Sequence, residues 1–286
     1  MEIIKDIKIE EFIKNFDINS NALYMLPPAR NNLSMGYLLI YHHKVILIDG
    51  GWGEYDYPQK KEILSVVSYN VDYQIITHEH CDHFGVLSEF LIDEDINVKN
   101  IYYNFKDIDS IRKVTHEFEI DLLNKFDKRF SNYKGNRVIV HKGTVLEIDD
   151  LKITFLNEPY DVIKDVNDTS LVFRIDVKDV HMLFLGDLSI KRSKTLIDEY
   201  KDNLDMLKAD ICQLAHHGQN GGSFDLYQII NMKYALWSGP KWIFDNDLGK
   251  GPNSGNLTSR ETEEWMKKLN ATNVFAWFDI TKFVLD

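Results

Sequence analysis

The run Thr77–Gly85, with the sequence THEHCDHFG, constrains this chain most, because it places three imidazoles and a carboxylate within six residues. The apolar run Tyr73–Thr77 enters it and predicts a buried strand, and the amphipathic run Phe84–Leu91 leaves it and predicts a helix. A strand-to-helix turn can aim several side chains at one point beyond the edge of a sheet. Four candidate metal ligands stand on this turn: His78, His80, Asp82 and His83.

The spacing within this motif indicates how the four side chains divide between two metal ions. His78 and His80 are two residues apart, so in extended backbone they point the same way and can bind one metal ion as a pair. Asp82 and His83 lie beyond the bend and suit a second ion, or in the case of Asp82 a water on that ion. Two ions about 3.5–4 Å apart can share a water and generate hydroxide near neutral pH. The motif therefore predicts metal-assisted hydrolysis rather than a histidine-rich surface turn without a function.

Net charge and cysteine content limit the kinds of partner and the cellular compartment expected for the chain. The net charge of −12 over 286 residues argues against a broad surface for nucleic acid or anionic membrane, although a local basic channel remains compatible with it. Two cysteines, Cys81 and Cys212, predict no disulfide framework and a reducing compartment. The first residues lack the pattern of a signal peptide, and no apolar run reaches the roughly 18 residues of a membrane span. We therefore expect a cytoplasmic protein without a membrane partner.

The motif His-x-His-x-Asp-His after a hydrophobic strand resembles the signature of the metallo-β-lactamase superfamily. The resemblance implies an α/β fold, a four-layer αββα sandwich, with one or two metal ions at one edge. Neutral imidazole and carboxylate ligands suit zinc, and also manganese or iron. We expect two divalent ions, with zinc as the first candidate.

Three further motifs extend this resemblance over about residues 36–220. Asp49 ends the strand Val45–Ile48, and the resemblance implies that it hydrogen-bonds the ligand-bearing loop. Asp187 follows a buried strand and Gly186, where the superfamily has a carboxylate that bridges both ions. The pair His216-His217 follows another strand. His216 is then the expected ligand of the second ion, and His217 a neighbouring catalytic group that steadies the transition state, with the reverse assignment left open.

One element departs from the common pattern. Many members carry a histidine between the second and fourth motifs to complete the first metal site, and the chain has Val166–Val172 at this place. This stretch resembles the branch found in the hydrolase domain of bacterial DNA-uptake channel proteins. The resemblance implies Asp168 as an oxygen ligand of the first ion, with His141 as the alternative. An oxygen ligand would shift the preference from zinc toward manganese or iron.

The remaining elements predict a single domain over residues 1–286. A charged amphipathic run over residues 107–130 predicts a helical insertion that could cover the site. Strand patterns resume at Arg137 and imply a second sheet, which would pack face to face on the first. His42 and His43 stand at the tip of a predicted hairpin and are expected in solvent.

The expected function is metal-dependent hydrolysis by a metal-activated hydroxide, with Asp82 binding a metal ion and orienting that hydroxide. The branch resemblance favours a phosphodiester substrate, including one in nucleic acid. The alternatives are a lactone, thioester or β-lactam substrate, a non-catalytic domain that holds metal and binds a partner, and a two-iron oxidoreductase. The sequence predicts neither the oligomeric state nor the identity of a small-molecule substrate.

Overall fold

The computed structural model describes residues 1–159 and 163–286. Its strands over these residues are, in chain order, β1 (Ile3–Ile7), β2 (Ala22–Met25), β3 (Gly36–Tyr41), β4 (Lys44–Asp49), β5 (Asn70–Ile75), β6 (Asn97–Tyr103), β7 (Asn136–Ile139), β8 (Val145–Ile148), β9 (Leu151–Phe155), β10 (Phe173–Val177), β11 (Val180–Phe184), β12 (Ile211–Gln213), β13 (Tyr234–Trp237), β14 (Thr272–Phe275) and β15 (Ile280–Val284). The α-helices are α1 (Ile9–Asn15), α2 (Gly53–Leu64), α3 (Cys81–Phe90), α4 (Ile108–Arg112), α5 (Ile120–Asn132), α6 (Ile190–Glu199), α7 (Phe224–Ile230), α8 (Lys241–Asp245) and α9 (Ser259–Lys268).

These strands form two sheets. The first has the strand order β1-β15-β2-β3-β4-β5-β6-β7, and the second has the order β14-β13-β12-β11-β10-β9-β8. Each sheet combines antiparallel hairpins with a parallel run, namely β4 to β7 in the first and β11 to β14 in the second. The carboxyl ends of parallel strands are where an open α/β sheet presents its ligand sites.

Strand β3 shows how the layers form, because both of its faces are buried. Tyr37 and Leu39 point into the core between the sheets, where the Tyr37 ring lies 5.1 Å from that of Phe184 in β11. Leu38 and Ile40, which alternate with them, belong to a second core on the helix side of the same sheet. A strand buried on both faces therefore separates a sheet–sheet core from a sheet–helix core.

Helices cover the outer face of each sheet. The core outside the first sheet includes apolar side chains from α2, α3 and α5, namely Ile63, Phe84 and Phe126. The core outside the second sheet includes side chains from α6, α7 and α9, namely Leu196, Leu226 and Met266. The four-layer αββα architecture expected from the sequence is confirmed.

Several element boundaries differ from the sequence expectations. Helix α3 begins at Cys81 and not at Phe84, so Asp82 and His83 lie in its first turn rather than on a loop. Proline is common in the first turn of a helix, so Pro58 favours a helix over Gln59–Tyr69, but α2 extends from Gly53 to Leu64 and contains Pro58.

The segment between β6 and β8 also differs. The predicted helix over residues 107–130 is broken into α4, a short 3-10 helix at Glu117–Glu119, and α5. Strand β7 was expected in the second sheet, but it pairs in parallel with β6 and extends the first. In the part of the chain that the structure describes, no helix is long and apolar enough to span a membrane.

Candidate metal centre

The histidine motif is fixed from below by Asp49, at the end of β4. The Thr77 amide donates to its Oδ1 at 2.8 Å, and the Thr77 hydroxyl donates to its Oδ2 at 2.8 Å. His83 Nδ1 donates to the same Oδ2 at 2.8 Å, and both side chains are 0% exposed. Asp49 adopts a left-handed φ of 51°, which aspartate tolerates better than most residues. The end of β4 thereby fixes the backbone entering the motif and one of its imidazoles.

Two groups of ligand atoms come together above this anchor. His78, His80 and Asp187 form one group, and Asp82, His83 and His217 form the other; within each group the ligand atoms lie within 4.8 Å of one another, and both groups are buried.

Asp187 lies between the two groups. Its Oδ2 is 3.8 Å from His78 Nε2 and its Oδ1 is 3.4 Å from His83 Nε2. Gly186 precedes it with a left-handed φ of 54°, and a Cβ there would lie 3.2 Å from the Cβ atoms of Thr77 and Ser170. Glycine is therefore suited to this tight turn. The Asp187 amide donates to Ser170 Oγ at 3.0 Å, which fixes the turn from the other side.

The ligand atoms of these groups include buried polar atoms without a hydrogen-bond partner. Among the described residues His83 Nε2, Asp187 Oδ1 and His217 Nε2 are such atoms. His217 Nε2 lies 2.9 Å from Asp82 Oδ2, but the two atoms are not aligned as a hydrogen bond. Buried polar atoms are normally satisfied, so unpaired ligand atoms facing one another fit bound cations. Imidazole and carboxylate donors suit zinc, iron and manganese.

In three of the ligand histidines, the hydrogen-bond partner of one ring nitrogen determines which nitrogen faces the site. His78 Nδ1 lies 3.0 Å from Thr77 Oγ1, and His217 Nδ1 donates to the Ser238 carbonyl at 2.7 Å. His83 Nδ1 is held by the aspartate described above. In each ring a partner on Nδ1 leaves the Nε2 lone pair free for a metal ion.

The charged groups of the cluster shift the pKa values of one another. Burial and the neighbouring His83 hold the pKa of His78 well below its usual value. Burial disfavours the charged form of His83, but the carboxylates of Asp187 and Asp82 outweigh it and raise the pKa of His83. His83 and His217 likewise outweigh burial and lower the pKa of Asp187. The Asp187 carboxylate is therefore ionised at neutral pH, as it would need to be to hold a metal ion.

The two histidines after β12 occupy different places relative to the cluster. His217 joins Asp82 and His83 in a ligand group, whereas His216 lies beside the cluster, with Nε2 3.8 Å from Asp187 Oδ2 and a side chain that is 22% exposed. The φ angles of His216 and His217 are 52° and 57°. Two successive left-handed residues point the adjacent imidazoles in different directions, and sequence spacing does not predict this geometry.

Asp168, the expected third ligand of the first ion, is not in either group of described ligand residues. Its Oδ1 pairs with Arg192 Nε at 2.9 Å and its Oδ2 accepts from the Lys164 amide at 2.9 Å. Helix α6 supplies Arg192, which draws the carboxylate away from the cluster. His141, the alternative, has a 65% exposed side chain and lies 3.2 Å from Glu158. The position expected to complete the first site is thus filled by neither residue.

Sequence reasoning also missed polar groups that support the motif. Glu79, between the first two histidines, is buried; it accepts from the Thr169 hydroxyl at 2.7 Å and the Lys106 amide at 2.8 Å. Burial raises the pKa of Glu79 to about 7. The sequence signal for Glu79 was a charged residue between two candidate ligands. The Ser238 carbonyl, which accepts from His217, gave no such signal because it lies at a strand end distant in the sequence.

Known proteins share this fold. The metallo-β-lactamase fold protein YhfI from Bacillus subtilis aligns with a TM-score of 0.55 at 14% identity, over 91% of this chain and 98% of that one. CmlA, a diiron β-hydroxylase from Streptomyces venezuelae, aligns with a TM-score of 0.55 at 11% identity, over 93% of this chain and 54% of that one. At these identities the likeness concerns the fold alone. No curated protein matches this chain.

The sequence model of the metallo-β-lactamase superfamily matches residues 33–234, which is more than half of the chain and includes every residue of the two ligand groups. The chain therefore belongs to the metallo-β-lactamase superfamily.

Proposed function

We propose that this protein is a metal-dependent hydrolase that cleaves a small phosphodiester. The observation that carries the proposal is the pair of adjacent buried ligand groups, with Asp187 in contact with both. Two divalent ions in these groups would supply an activated hydroxide and polarise the substrate oxygen. The donor set accepts zinc, manganese or iron, and we expect zinc first.

The side chains of the cluster have separate tasks in this reaction. Asp82 is buried, and His83 and His217 outweigh that burial to lower the pKa of its carboxylate. An ionised carboxylate in the first turn of α3 accepts a hydrogen bond from the attacking water and orients it. His216 is partly exposed beside Asp187 and is placed to donate to a substrate oxygen as negative charge develops there. It thus takes the role that the sequence suggested for His217.

Two arguments favour a phosphodiester. Paired ions stabilise both the attacking and the leaving oxygen of a displacement at phosphorus. The stretch before β10 resembles the DNA-uptake branch, and in this chain its Ser170 hydroxyl accepts from the Asp187 amide. The net charge of −12 favours a small diester over a long polyanion.

The test is hydrolysis of a chromogenic phosphodiester by metal-stripped protein before and after addition of zinc or manganese. Asp82→Ala should abolish the restored activity, and Asp149→Ala, an exposed aspartate on the hairpin after β8, should keep it. Absence of metal-restored cleavage would contradict the proposal for simple diesters.

The same samples distinguish the alternatives. Metal-restored cleavage of a lactone, thioester or β-lactam, without cleavage of the diester, would indicate a carboxylic substrate. Tight metal binding without turnover of any ester would indicate a metal-holding domain that binds a partner. Both outcomes retain the metal centre and reject only the phosphodiester.

A further inference from the structure

The short 3-10 helix Glu117–Glu119, between α4 and α5, lies against the metal centre. Glu119 Oε2 is 4.0 Å from His80 Nε2. The ring of His116, at the start of this helix, lies 6.4 Å from that of His80 with only 17° between their planes. The helical insertion therefore contacts the candidate ligand His80 both at the edge and at the face of the imidazole ring.

The two nitrogens of His80 face different partners. Nδ1 is 3.1 Å from His78 Nε2 and so faces the ligand group, whereas Nε2 faces Glu119. When an imidazole binds a metal ion through one nitrogen, the other carries a proton and donates to a carboxylate, carbonyl or water. His78, His83 and His217 already have such a partner on their outer nitrogen. Glu119 stands where the equivalent partner of His80 is needed.

The Glu119 carboxylate is a buried acceptor with one oxygen that lacks a donor in the described chain. It is 6% exposed, and its Oε2 has no hydrogen-bond partner among the described residues. A buried carboxylate oxygen without a donor is unfavourable for folding, so a donor supplied in the metal-loaded protein would account for the place of Glu119. A protonated His80 Nε2, formed when Nδ1 binds an ion, would satisfy it after a shift of roughly 1 Å.

We propose that Glu119 is a positioning residue that accepts a hydrogen bond from His80 Nε2 and holds Nδ1 toward the first metal ion. The helical insertion is then part of the metal centre rather than only a cover. This inference rests on the proposed metal centre but not on its substrate.

The test compares Glu119→Gln with Glu117→Gln, an exposed residue of the same 3-10 helix, by chelator competition on zinc-loaded protein. Loss of an outer partner typically weakens metal binding by about 10- to 100-fold. We expect a loss of this size for the ion held by the group that contains His80, which is the ion that His80→Ala should also remove. We expect no loss for the ion held by the group that contains Asp82, which is the ion that Asp82→Ala should remove. Metal-free Glu119→Gln should unfold at a denaturant concentration equal to or above that of the wild type, because it removes an unsatisfied charge.

A double-mutant cycle makes the test independent of a folding defect. If Glu119 acts through His80, then Glu119→Gln in the His80→Ala background should change zinc affinity no further. Equal zinc affinity of Glu119→Gln and Glu117→Gln would overturn the inference while leaving the metal centre intact. Equal loss of both ions together with lowered metal-free stability would also overturn it, since that is the signature of a structural role. Wild-type protein that binds no zinc would overturn both the metal centre and this inference.

A second, independent observation concerns aromatic side chains beside the same site. The rings of His116 and Phe118 lie 5.6 Å apart with planes within 10° of each other, and those of Phe118 and Trp52 lie 6.4 Å apart within 7°. Trp52 in turn lies 6.1 Å from Tyr55 with planes 21° apart, and the Arg30 guanidinium is 4.8 Å from the centre of that ring. We call His116, Phe118, Trp52 and Tyr55 the aromatic row.

Core packing explains only part of the aromatic row, because Trp52 packs against the helix-side core of the first sheet whereas His116 and Phe118 are exposed. Phe118 is 66% exposed, although exposing a phenyl ring to water is unfavourable. The row begins at His116, which stacks on the candidate ligand His80, so the row begins beside the metal centre. Exposed aromatic rings at one end of the row and a guanidinium at the other suit a planar aromatic group, and nucleobases bind aromatic side chains by stacking.

The geometry points to the aromatic row as the binding surface for a planar ring of the substrate, such as a nucleobase joined to the scissile phosphate. This inference depends on the proposed function only for the position of the phosphate. Adenosine monophosphate should bind the metal-loaded protein roughly 5- to 100-fold more tightly than ribose 5-phosphate, as expected for one stacked base.

Titration calorimetry on variants tests the role of the row. Phe118→Ala and Trp52→Ala should each reduce the preference for the base, and Phe278→Ala, a 70% exposed phenylalanine outside the row, should keep it. Equal binding of the two ligands by the wild type would overturn this inference. Because binding is measured, a protein that cleaves no phosphodiester can still support it, and the two failures remain distinguishable.

Discussion

Replacing Asp49 by asparagine changes one atom of the buried anchor beneath the metal motif. Asparagine tolerates the left-handed φ of 51° and keeps the shape of the side chain. Its carbonyl oxygen can still accept from the Thr77 amide, but its amide nitrogen then faces His83 Nδ1–H, which also donates. The Thr77 hydroxyl can rotate away from this conflict, whereas the imidazole, held in the first turn of α3, cannot.

The magnitude follows from what is lost. A hydrogen bond to a charged group contributes about 1.5–3 kcal/mol, and a buried donor left unsatisfied costs about 1–3 kcal/mol. We therefore expect Asp49→Asn to lower the free energy of unfolding by about 2–4 kcal/mol. The unpaired His83 can relieve the conflict by moving its proton to Nε2, which removes the lone pair from the ligand group. Zinc affinity of the group that contains Asp82 and His217 should fall by about 10- to 100-fold.

The chain offers a matched control in Asp149. Its φ is 55°, and its Oδ2 lies 2.9 Å from His42 Nδ1, as in the buried pair, but the two side chains are 62% and 46% exposed. Asp149→Asn should change the free energy of unfolding by no more than about 0.5 kcal/mol. Urea denaturation of metal-free protein and chelator competition on zinc-loaded protein measure both effects. Equal behaviour of the two variants would refute the reasoning that burial makes Asp49 an anchor.

Three further outcomes can be measured on the same protein. Burial lowers the pKa of Lys60 from 10.5 to about 8, so between these values the unfolded chain binds more protons than the folded protein and the free energy of unfolding rises with pH. The rise is at most roughly 3 kcal/mol, and urea denaturation across this range should show it in the wild type and not in Lys60→Met. Gly85→Ala should destabilise the protein by about 1–3 kcal/mol in urea denaturation, because its Cβ would lie 2.3 Å from the backbone nitrogen of Gly53; an unchanged midpoint would contradict the close contact between α2 and α3. Asp168→Asn should leave the zinc content of the loaded protein unchanged, because the carboxylate pairs with Arg192, and loss of one ion would restore Asp168 as a ligand.

The sequence predicted best what is encoded locally. His78, His80, Asp82 and His83 lie within six residues, so the strand before them and the helix after them leave little freedom in where they point. The fold was expected from the resemblance that this motif carries and from the second run of strand patterns, and strand β3, which is buried on both faces, agrees with it.

Contacts between distant segments account for what the sequence did not predict. Asp168 has the chemistry of a ligand, but Arg192 from α6 turns its carboxylate away, and the Arg192–Asp168 pairing cannot be read from local pattern. Glu119 lies in a run that looks like an ordinary solvent-covered helix, and only the break between α4 and α5 brings it to His80. The order of His216 and His217 depends on two left-handed backbone conformations, which sequence spacing does not encode.

Several unfavourable features of the described chain meet at the metal centre, which is itself an argument about function. Asp49, His216 and His217 have left-handed φ values, a conformation that costs non-glycine residues on the order of 1–3 kcal/mol where a side chain strains it. His83 and Asp187, within the same cluster, leave buried ligand atoms without partners. A core selected only for stability would replace such groups with apolar ones, since burying polar atoms unpaired is costly. Bound cations would satisfy these same atoms and stabilise the folded protein, so burial and donor chemistry both indicate the two ligand groups.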